Sequence, residues 1–532
     1  MRIAPVVAVL LAVAAAQGHA AELRRLSRER FLDKCRGAWA GQMIGVCYGA
    51  PYEFRSNGRP ITKALEPWRP ERVEGAIGQD DCYVEMTFLQ AIEKHGLDIT
   101  YEQAGRAFAA SQYPLWHANR YGRLNIRRGI MPPLSGHPEY NRHADDIDFQ
   151  IEADLFGILC PGLPQESNRL CDIFGHIMNY GDGVYGGMFV AGMYAAAYFE
   201  DHDVRKVIDA GLACIPAESE YHKCITDVIR LYEKHRTDWL AAWKEIEARW
   251  QDDIDCVPGN PFNIDAKLNG AYIVMGLLYG EGDFLRTMEI STRCGQDADC
   301  NPSNAAGVLG CMKGFKGIGE EFTSGIAKIA DTKFLHTDYS FNTLIPACQK
   351  VTEQIIVRTG GKIDDEGYLI AVQKPKAAPL EQWTDQKKLL SQPIPQSDLD
   401  AWSPGWKVLA CGTELEPAVM EEYGGRKDVL KTHPVSRTEA AVLEGTLDVP
   451  AGAKNPKLRL HVSSEKKGDF LLRVLMEGRP ALEEVVETNG EWREVRVPLG
   501  AGSRVRVRIE NAPHGAWMME SMYLATPEVV SE

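Results

Sequence analysis

The sequence predicts a two-part molecule. An all-helical domain over residues 22–370 is followed, after a linker at 371–400, by an antiparallel β-sandwich over 401–532. Three observations predict this. Apolar residues recur every three or four positions through the first part, the signature of one buried helix face. Pro375, Pro379, Pro393 and Pro395 then cluster among Lys, Gln and Ser, a composition that stiffens a connector and blocks regular structure. After Trp402 the apolar period becomes two, the signature of half-buried strands.

Each element follows from its residues. Phe31, Leu32, Cys35, Ala38 and Trp39 form one helical stripe. Val84, Phe88, Leu89 and Ile92 form another, stopped at His95-Gly96. Gly186 to Phe199 is a small, apolar, aromatic run. Gly307, Gly310 and Gly314 lower helix propensity, and the reading preferred for them is close packing of two helices. In the last part Leu458, Leu460 and Val462 alternate with Arg459 and His461, and Val495 and Val497 flank Arg496. Val505, Val507 and Ile509 alternate with Arg504, Arg506 and Arg508. Short alternating runs between Gly, Asn and Pro turns specify a sandwich.

The chain has 532 residues, 45% of them hydrophobic and 25% charged, which excludes disordered and fibrous classes. Its formal charge is −15, against a general nucleic-acid binder, which needs surplus Lys and Arg. Residues 401–532 hold 17 basic and 20 acidic side chains, so most of the acidity lies in the helical part. At the N-terminus, Arg2 precedes the apolar stretch Ile3 to Ala16, and Gly18-His19-Ala20 supplies small residues at the cleavage positions. Residues 1–20 therefore read as a signal peptide, and the expectation is a secreted or periplasmic protein without a membrane span. The thirteen cysteines include no C-x-x-C pair. Export permits disulfides, and Cys214 and Cys224 are close enough in sequence to join. Buried apolar thiols are the commoner outcome.

Two segments resemble each other: Gly78-Gln79-Asp80-Asp81-Cys82 and Gly295-Gln296-Asp297-Ala298-Asp299-Cys300. Each places two aspartates on a Gly-led turn before a helical pattern. Paired carboxylates repel unless a proton or cation lies between them, and a hard divalent ion removes the repulsion. The competing reading is that Asp80 or Asp299 only caps a helix. Asp145, Asp146, Asp148, Glu152 and Asp154 form a further acidic run, for which a solvated face is the default and metal or substrate contact the alternative.

These segments, with Arg36-Gly37-Ala38 through Gly41 and Gly45 to Gly49-Ala50-Pro51-Tyr52-Glu53-Phe54, resemble the ADP-ribosylglycohydrolase family. That family includes the dinitrogenase-reductase-activating glycohydrolases. Its R-G-x-x-x-G start ending in G-A-P-x-E-F, its T-D-D-T and its G-G-D-T-D-T are matched in order over roughly residues 28–340. The resemblance implies an all-helical fold with two divalent metal ions, magnesium first and manganese or zinc as alternatives. It implies Gln79, Asp80, Asp81, Asp297, Asp299 and Cys300 around the metals, and Glu53, Asp81 and Asp299 as the catalytic set.

The chain departs from the family pattern. Gln79, Cys82 and Cys300 stand where the family has threonine. A thiolate suits zinc better than magnesium, and a Cys82–Cys300 disulfide and inert packed thiols are both open. The family's G-N-G-x-x-M-R loop has no clear counterpart; Asn125-Ile126-Arg127-Arg128-Gly129 and the Asp145–Asp154 run stand near its place. Asp148, Tyr180, Asp182 and Tyr185 are the substrate-contact candidates, with aromatic core packing as the other reading for the tyrosines. The expected reaction is metal-assisted cleavage of an N- or O-glycosidic bond to a ribosyl, ADP-ribosyl-like, group through an oxocarbenium-like state. The alternatives are an exported hydrolase of another glycoside or riboside, or an inactive scaffold or adhesion protein. The terminal sandwich resembles carbohydrate-binding, galactose-binding-like modules, with Trp492, Trp517 and Tyr523 as candidate glycan contacts and buried core aromatics as the commoner reading for them.

Overall fold

The computed structural model describes residues 22–251, 262–382, 394, 396–412, 417–499, 504–515 and 519–531. The expected signal peptide, Cys256 and Trp517 lie outside the described residues. No helix among them is long and apolar enough to cross a membrane.

The first helix, Arg28–Gly49, opens on Ser27, whose side chain accepts from the Arg30 N–H. It carries Gly37, Gly41, Gly45 and Gly49 four residues apart, hence on one face. That face lies on the helix Cys300–Lys313 and the turn before it, running antiparallel. A Cβ at these glycines would stand 2.3 Å from Gly310 O, 2.2 Å from Ala306 O, 2.2 Å from Pro302 O and 2.0 Å from Ala298 O. The two backbones are thus in direct contact, and packing is indeed the role of Gly310. Gly307 has the Tyr194 hydroxyl in the same position, 1.8 Å from its would-be Cβ.

Around this pair lie the helices Asp80–His95, His117–Arg127, Pro164–Gly175, Asp182–Ala197, Glu220–Lys234, Ala266–Gly280 and Phe341–Arg358. They share one apolar core that includes Trp39, Phe88, Phe156, Tyr194 and Tyr272. Asp182–Ala197 is buried on nearly all sides, as its apolar run requires. The unit is not wholly helical. Leu23–Leu26 and Lys362–Asp364 pair antiparallel with Gly367–Ala371. Strands of three to five residues show too little alternation to be read from sequence.

A buried polar knot lies behind the first helix. Asp154 accepts from Tyr194 Oη at 2.7 Å, Asn304 Nδ2 at 2.8 Å and Gln42 Nε2 at 3.2 Å. Glu85, also fully buried, accepts from the Leu155 N–H at 3.2 Å. Asp146, Asp148, Glu152 and Asp154 are all buried, so the acidic run is not a solvated face. Alternation of charged and apolar residues reads the same for a surface and for a polar core whose donors come from distant helices.

Twelve described cysteines are free thiols, and only Cys411 is not fully buried. Cys214 and Cys224 do not join, nor do Cys82 and Cys300. These positions sit inside packed helices, where a small apolar side chain is what the space admits.

The last part is a sandwich of two antiparallel sheets. One runs Arg479–Val486, Phe470–Met476, Arg504–Ala512, Ala441–Asp448, Lys407–Ala410. The other runs Arg493–Pro498, Lys457–Ser464, Met522–Leu524, Arg426–Thr432, Ala418–Tyr423, with Glu528–Val530 also on Lys457–Ser464. Val505, Val507 and Ile509 face Leu458, Leu460 and Val462 in one core, as the alternation requires. The connector is tied down at each end: Ala378 packs on the helical core, while Ile394, Leu399 and Trp402 enter the sandwich core. Arg128 Nη1 meets Asp398 Oδ1 at 3.1 Å, and Arg127 Nη1 meets Glu421 Oε2 at 2.8 Å. Tyr523 is buried, with Tyr423 stacked on its ring at 3.6 Å, so it is not a free face for a glycan. Trp492 is half-buried and donates to Gly424 O.

Gly45→Ala should cost about 3 kcal/mol, because its methyl group meets rigid backbone of the partner helix at Pro302 and Ser303; urea unfolding measures it. Burial holds the Asp154 carboxyl at about 7 against its usual 3.8. The native chain therefore keeps this proton as pH rises while the unfolded chain loses it. That contribution to stability is full below about pH 4 and is lost between about pH 4 and 7. In unfolding measured across that range, Asp154→Asn should flatten the decline.

Candidate active site

The packed helix pair delivers two loops to one place. Gly49 ends the first helix and leads through the turn Ala50–Tyr52 to Glu53 and Phe54. The partner helix begins just after Asp297 and Asp299. Phe54 N donates to Gln296 O at 2.9 Å, and Gln296 N to Ser56 O at 3.4 Å. Phe54 and Gln296 both hold left-handed backbone, at φ 49° and 55°. Side chains rarely accept that conformation, and it tends to persist where surrounding structure enforces a site. Gly295, at φ 85°, has its α-carbon against Ser56 O, which leaves no room for a side chain.

The helix Asp80–His95 brings the third loop. Asp80 and Asp81 occupy its first turn, where the helix dipole favours negative charge. Glu53, Gln79, Asp80, Asp148, Asp297, Asp299 and Cys300 line one cavity of about 470 Å³. Asp81 lies beneath it, fully buried, accepting from Cys300 Sγ at 3.4 Å. The metal and catalytic candidates are thus brought together.

The charge so gathered is costly. Burial, then the charges of Asp80 and Asp299, push the Asp81 carboxyl well above its usual range. Burial, then Asp297, does the same to Asp299, and burial lifts Asp297 to about 7. Glu53 is exposed as a residue, yet its carboxyl end is raised by burial and next by Asp80. One oxygen of each of Asp81, Asp297 and Asp299 is buried with no hydrogen-bond partner among the described residues. Unpaired buried acceptors are destabilising, and a cation would relieve those at this cavity. Ligand atoms of Asp297, Asp299 and Cys300 lie within 4.8 Å of one another. Burial, then the charges of Asp297 and Asp299, hold the Cys300 thiol protonated, so it donates to Asp81 as a threonine hydroxyl would. The donor set is oxygen-rich and fits hard divalent ions.

The substrate candidates divide. Asp148 lines the cavity and accepts from the Ala118 and Asn119 N–H groups at 3.2 Å each, while burial lifts its carboxyl to about 7. Tyr180, Asp182 and Tyr185 line a separate space of about 340 Å³ beside the connector. There Tyr185 Oη donates to Pro379 O at 3.0 Å, and Glu381 accepts from the Gly181 N–H at 2.6 Å. The Gly-rich turn around Tyr180 anchors the connector and does not reach the carboxylates.

Sequence reasoning missed an apolar and aromatic side of the cavity: Trp116, His117, Ile147, Ile151, Phe262 and Ile264. Phe54 and Phe262 have ring centroids 4.9 Å apart, and Phe262 lies on His117 at 6.1 Å. His117 in turn stands at the edge of His143, whose Nδ1 is 2.8 Å from Asp146 Oδ2. Only Trp116-His117, a bulky pair ahead of a helix without a capping side chain, carried a local signal. Nothing in the spacing of Phe262 or His143 marked them.

The helical fold and its carboxylate cavity accord with the family that the sequence matches, one of hydrolases acting on glycosidic bonds. The family model described as ADP-ribosylglycohydrolase matches residues 27–351, and the chain belongs to that family. Among solved structures it is similar to one described as an ADP-ribosylglycohydrolase-related protein complex, at 15% identity and TM-score 0.37, covering 61% of this chain and 99% of that one. It is also similar to a family GH115 4-O-methyl-alpha-glucuronidase with specificity for decorated arabinogalactans, at 9% identity and TM-score 0.17, covering 70% of this chain and 42% of that one. No curated protein matches.

Cys300→Ala removes one hydrogen bond to Asp81, about 1 kcal/mol, and should weaken manganese binding about fivefold. Cys300→Thr should restore it, as calorimetric titration measures.

Proposed function

We propose that this protein is a metal-dependent glycohydrolase that cleaves the N- or O-glycosidic bond of a ribosyl or related glycosyl group at a dinuclear site. The observation that carries the reading is the set of buried, unpartnered oxygens on Asp81, Asp297 and Asp299. Asp80, Asp81, Asp297 and Asp299 would hold the ions, with the Gln79 amide oxygen as a further hard donor. Two such ions, magnesium by preference for oxygen, supply Lewis acidity and acidify a coordinated water.

The chain's own groups do the rest. Cys300 donates to Asp81 and fixes the direction of its carboxylate. Asp148, held by two backbone N–H groups, keeps acceptor capacity for a sugar hydroxyl. Glu53 has a carboxyl whose raised pKa lets it carry a proton closer to neutrality. It gives that proton to the leaving atom, or takes one from the attacking water, as the anomeric carbon becomes oxocarbenium-like. Export on the N-terminal pattern, and a glycan contact through the half-buried Trp492, belong to the same proposal.

Asp299→Ala should lower kcat about 100-fold or more and reduce bound metal in parallel, measured by riboside hydrolysis and elemental analysis. An unchanged rate with unchanged metal content would sink the reading.

A further inference from the structure

The cavity is built against phosphate. Its described lining holds Glu53, Asp80, Asp148, Asp297 and Asp299 and no Lys or Arg. Proteins bind phosphates with Arg and Lys or with the free N–H groups of helix N-termini. Three helix N-termini meet this cavity, and each has a carboxylate at it: Asp80 and Asp81 lie in the first turn of one, Asp299 stands at the start of the second without a side-chain capping bond, and Asp148 takes the Ala118 and Asn119 N–H groups of the third. Arg55, whose charge reaches Glu53, belongs to an exposed residue outside the lining. Two divalent ions would bring four positive charges to six carboxylates, counting Asp81, so the filled site is still not cationic.

Aromatic and apolar side chains line the same cavity. Trp116 lines the cavity while remaining 54% exposed, an unusual position for so large a ring. Phe54, Phe262 and His117 line the cavity too, with Phe262 4.9 Å from Phe54 and 6.1 Å from His117. Aromatic faces of this kind hold sugar rings and bases by stacking.

Resting on the glycohydrolase reading above, we infer that the substrate is an uncharged glycoside. Its flat aglycone or base lies on Trp116, and its sugar faces the carboxylates. A diphosphate-bearing group is disfavoured.

Equilibrium binding to the full chain with magnesium tests this, using adenosine and p-nitrophenyl β-D-ribofuranoside as neutral probes and AMP and ADP-ribose as charged ones. Both neutral probes should bind at least tenfold tighter than AMP and ADP-ribose. Trp116→Ala should weaken them about tenfold, and Trp116→Phe should recover most of the loss. AMP or ADP-ribose binding as tightly as the neutral probes would overturn the inference. So would absent binding of both neutral probes, or Trp116→Ala leaving their affinity unchanged. Hydrolysis is scored separately. A neutral preference that depends on Trp116, with no turnover of any riboside, would remove the glycohydrolase reading while leaving the recognition surface standing.

Discussion

The contact on which the rest depends is the bare backbone crossing between Arg28–Gly49 and Cys300–Lys313. Four glycines, each with a carbonyl oxygen in the place of its missing methyl, fix these helices in depth and in register. Register matters because both site loops are extensions of the pair. Gly49 sits over Ala298, between Asp297 and Asp299, so the chain leaving the first helix must reach Glu53 beside those aspartates. Interiors transmit such placement because they are close-packed and stiff. The backbone bonds between Phe54 and Gln296 and between Ser56 and Gln296 then lock the two loops together.

What this scaffold assembles is electrostatically unfavourable by itself. Asp81, Asp297 and Asp299 are pushed toward neutrality by burial and by each other. The fold tolerates this because most other buried carboxylates are met by donors: Asp154 by Tyr194, Asn304 and Gln42, and Asp148 by two backbone N–H groups. Glu85 and Glu152 also keep one oxygen without a hydrogen-bond partner among the described residues, so what marks Asp81, Asp297 and Asp299 is their gathering at one cavity, more than an unmet oxygen.

Much of this was legible in the chain. The helix stripes, the change of period after Trp402 and the paired-aspartate turns rest on local patterns that survive folding. The family motifs located Glu53, Asp80, Asp81, Asp297 and Asp299 together, although they lie more than 200 residues apart. What stayed hidden was relational. The run Asp145–Asp154 reads as surface until donors such as Asn119 and Tyr194 arrive from other helices. Tyr180 and Tyr185 read as pocket residues, and they line a space of their own beside the connector, apart from the carboxylate cavity. Phe262 and Trp116 become neighbours only through the tertiary fold.

The helix His117–Arg127 has a double attachment. Its N-terminal end caps Asp148 and carries Trp116 and His117 at the cavity, while its far end and the next residue hold the sheet domain through Arg127–Glu421 and Arg128–Asp398. Eleven residues make a strut about 16 Å long. The sandwich is therefore a buttress for one side of the reaction chamber as well as an appended module. Exchanging it for another sheet domain would lose the ion pair at Glu421 and the packing that seats Asp398 against Arg128, and so would loosen that side of the cavity.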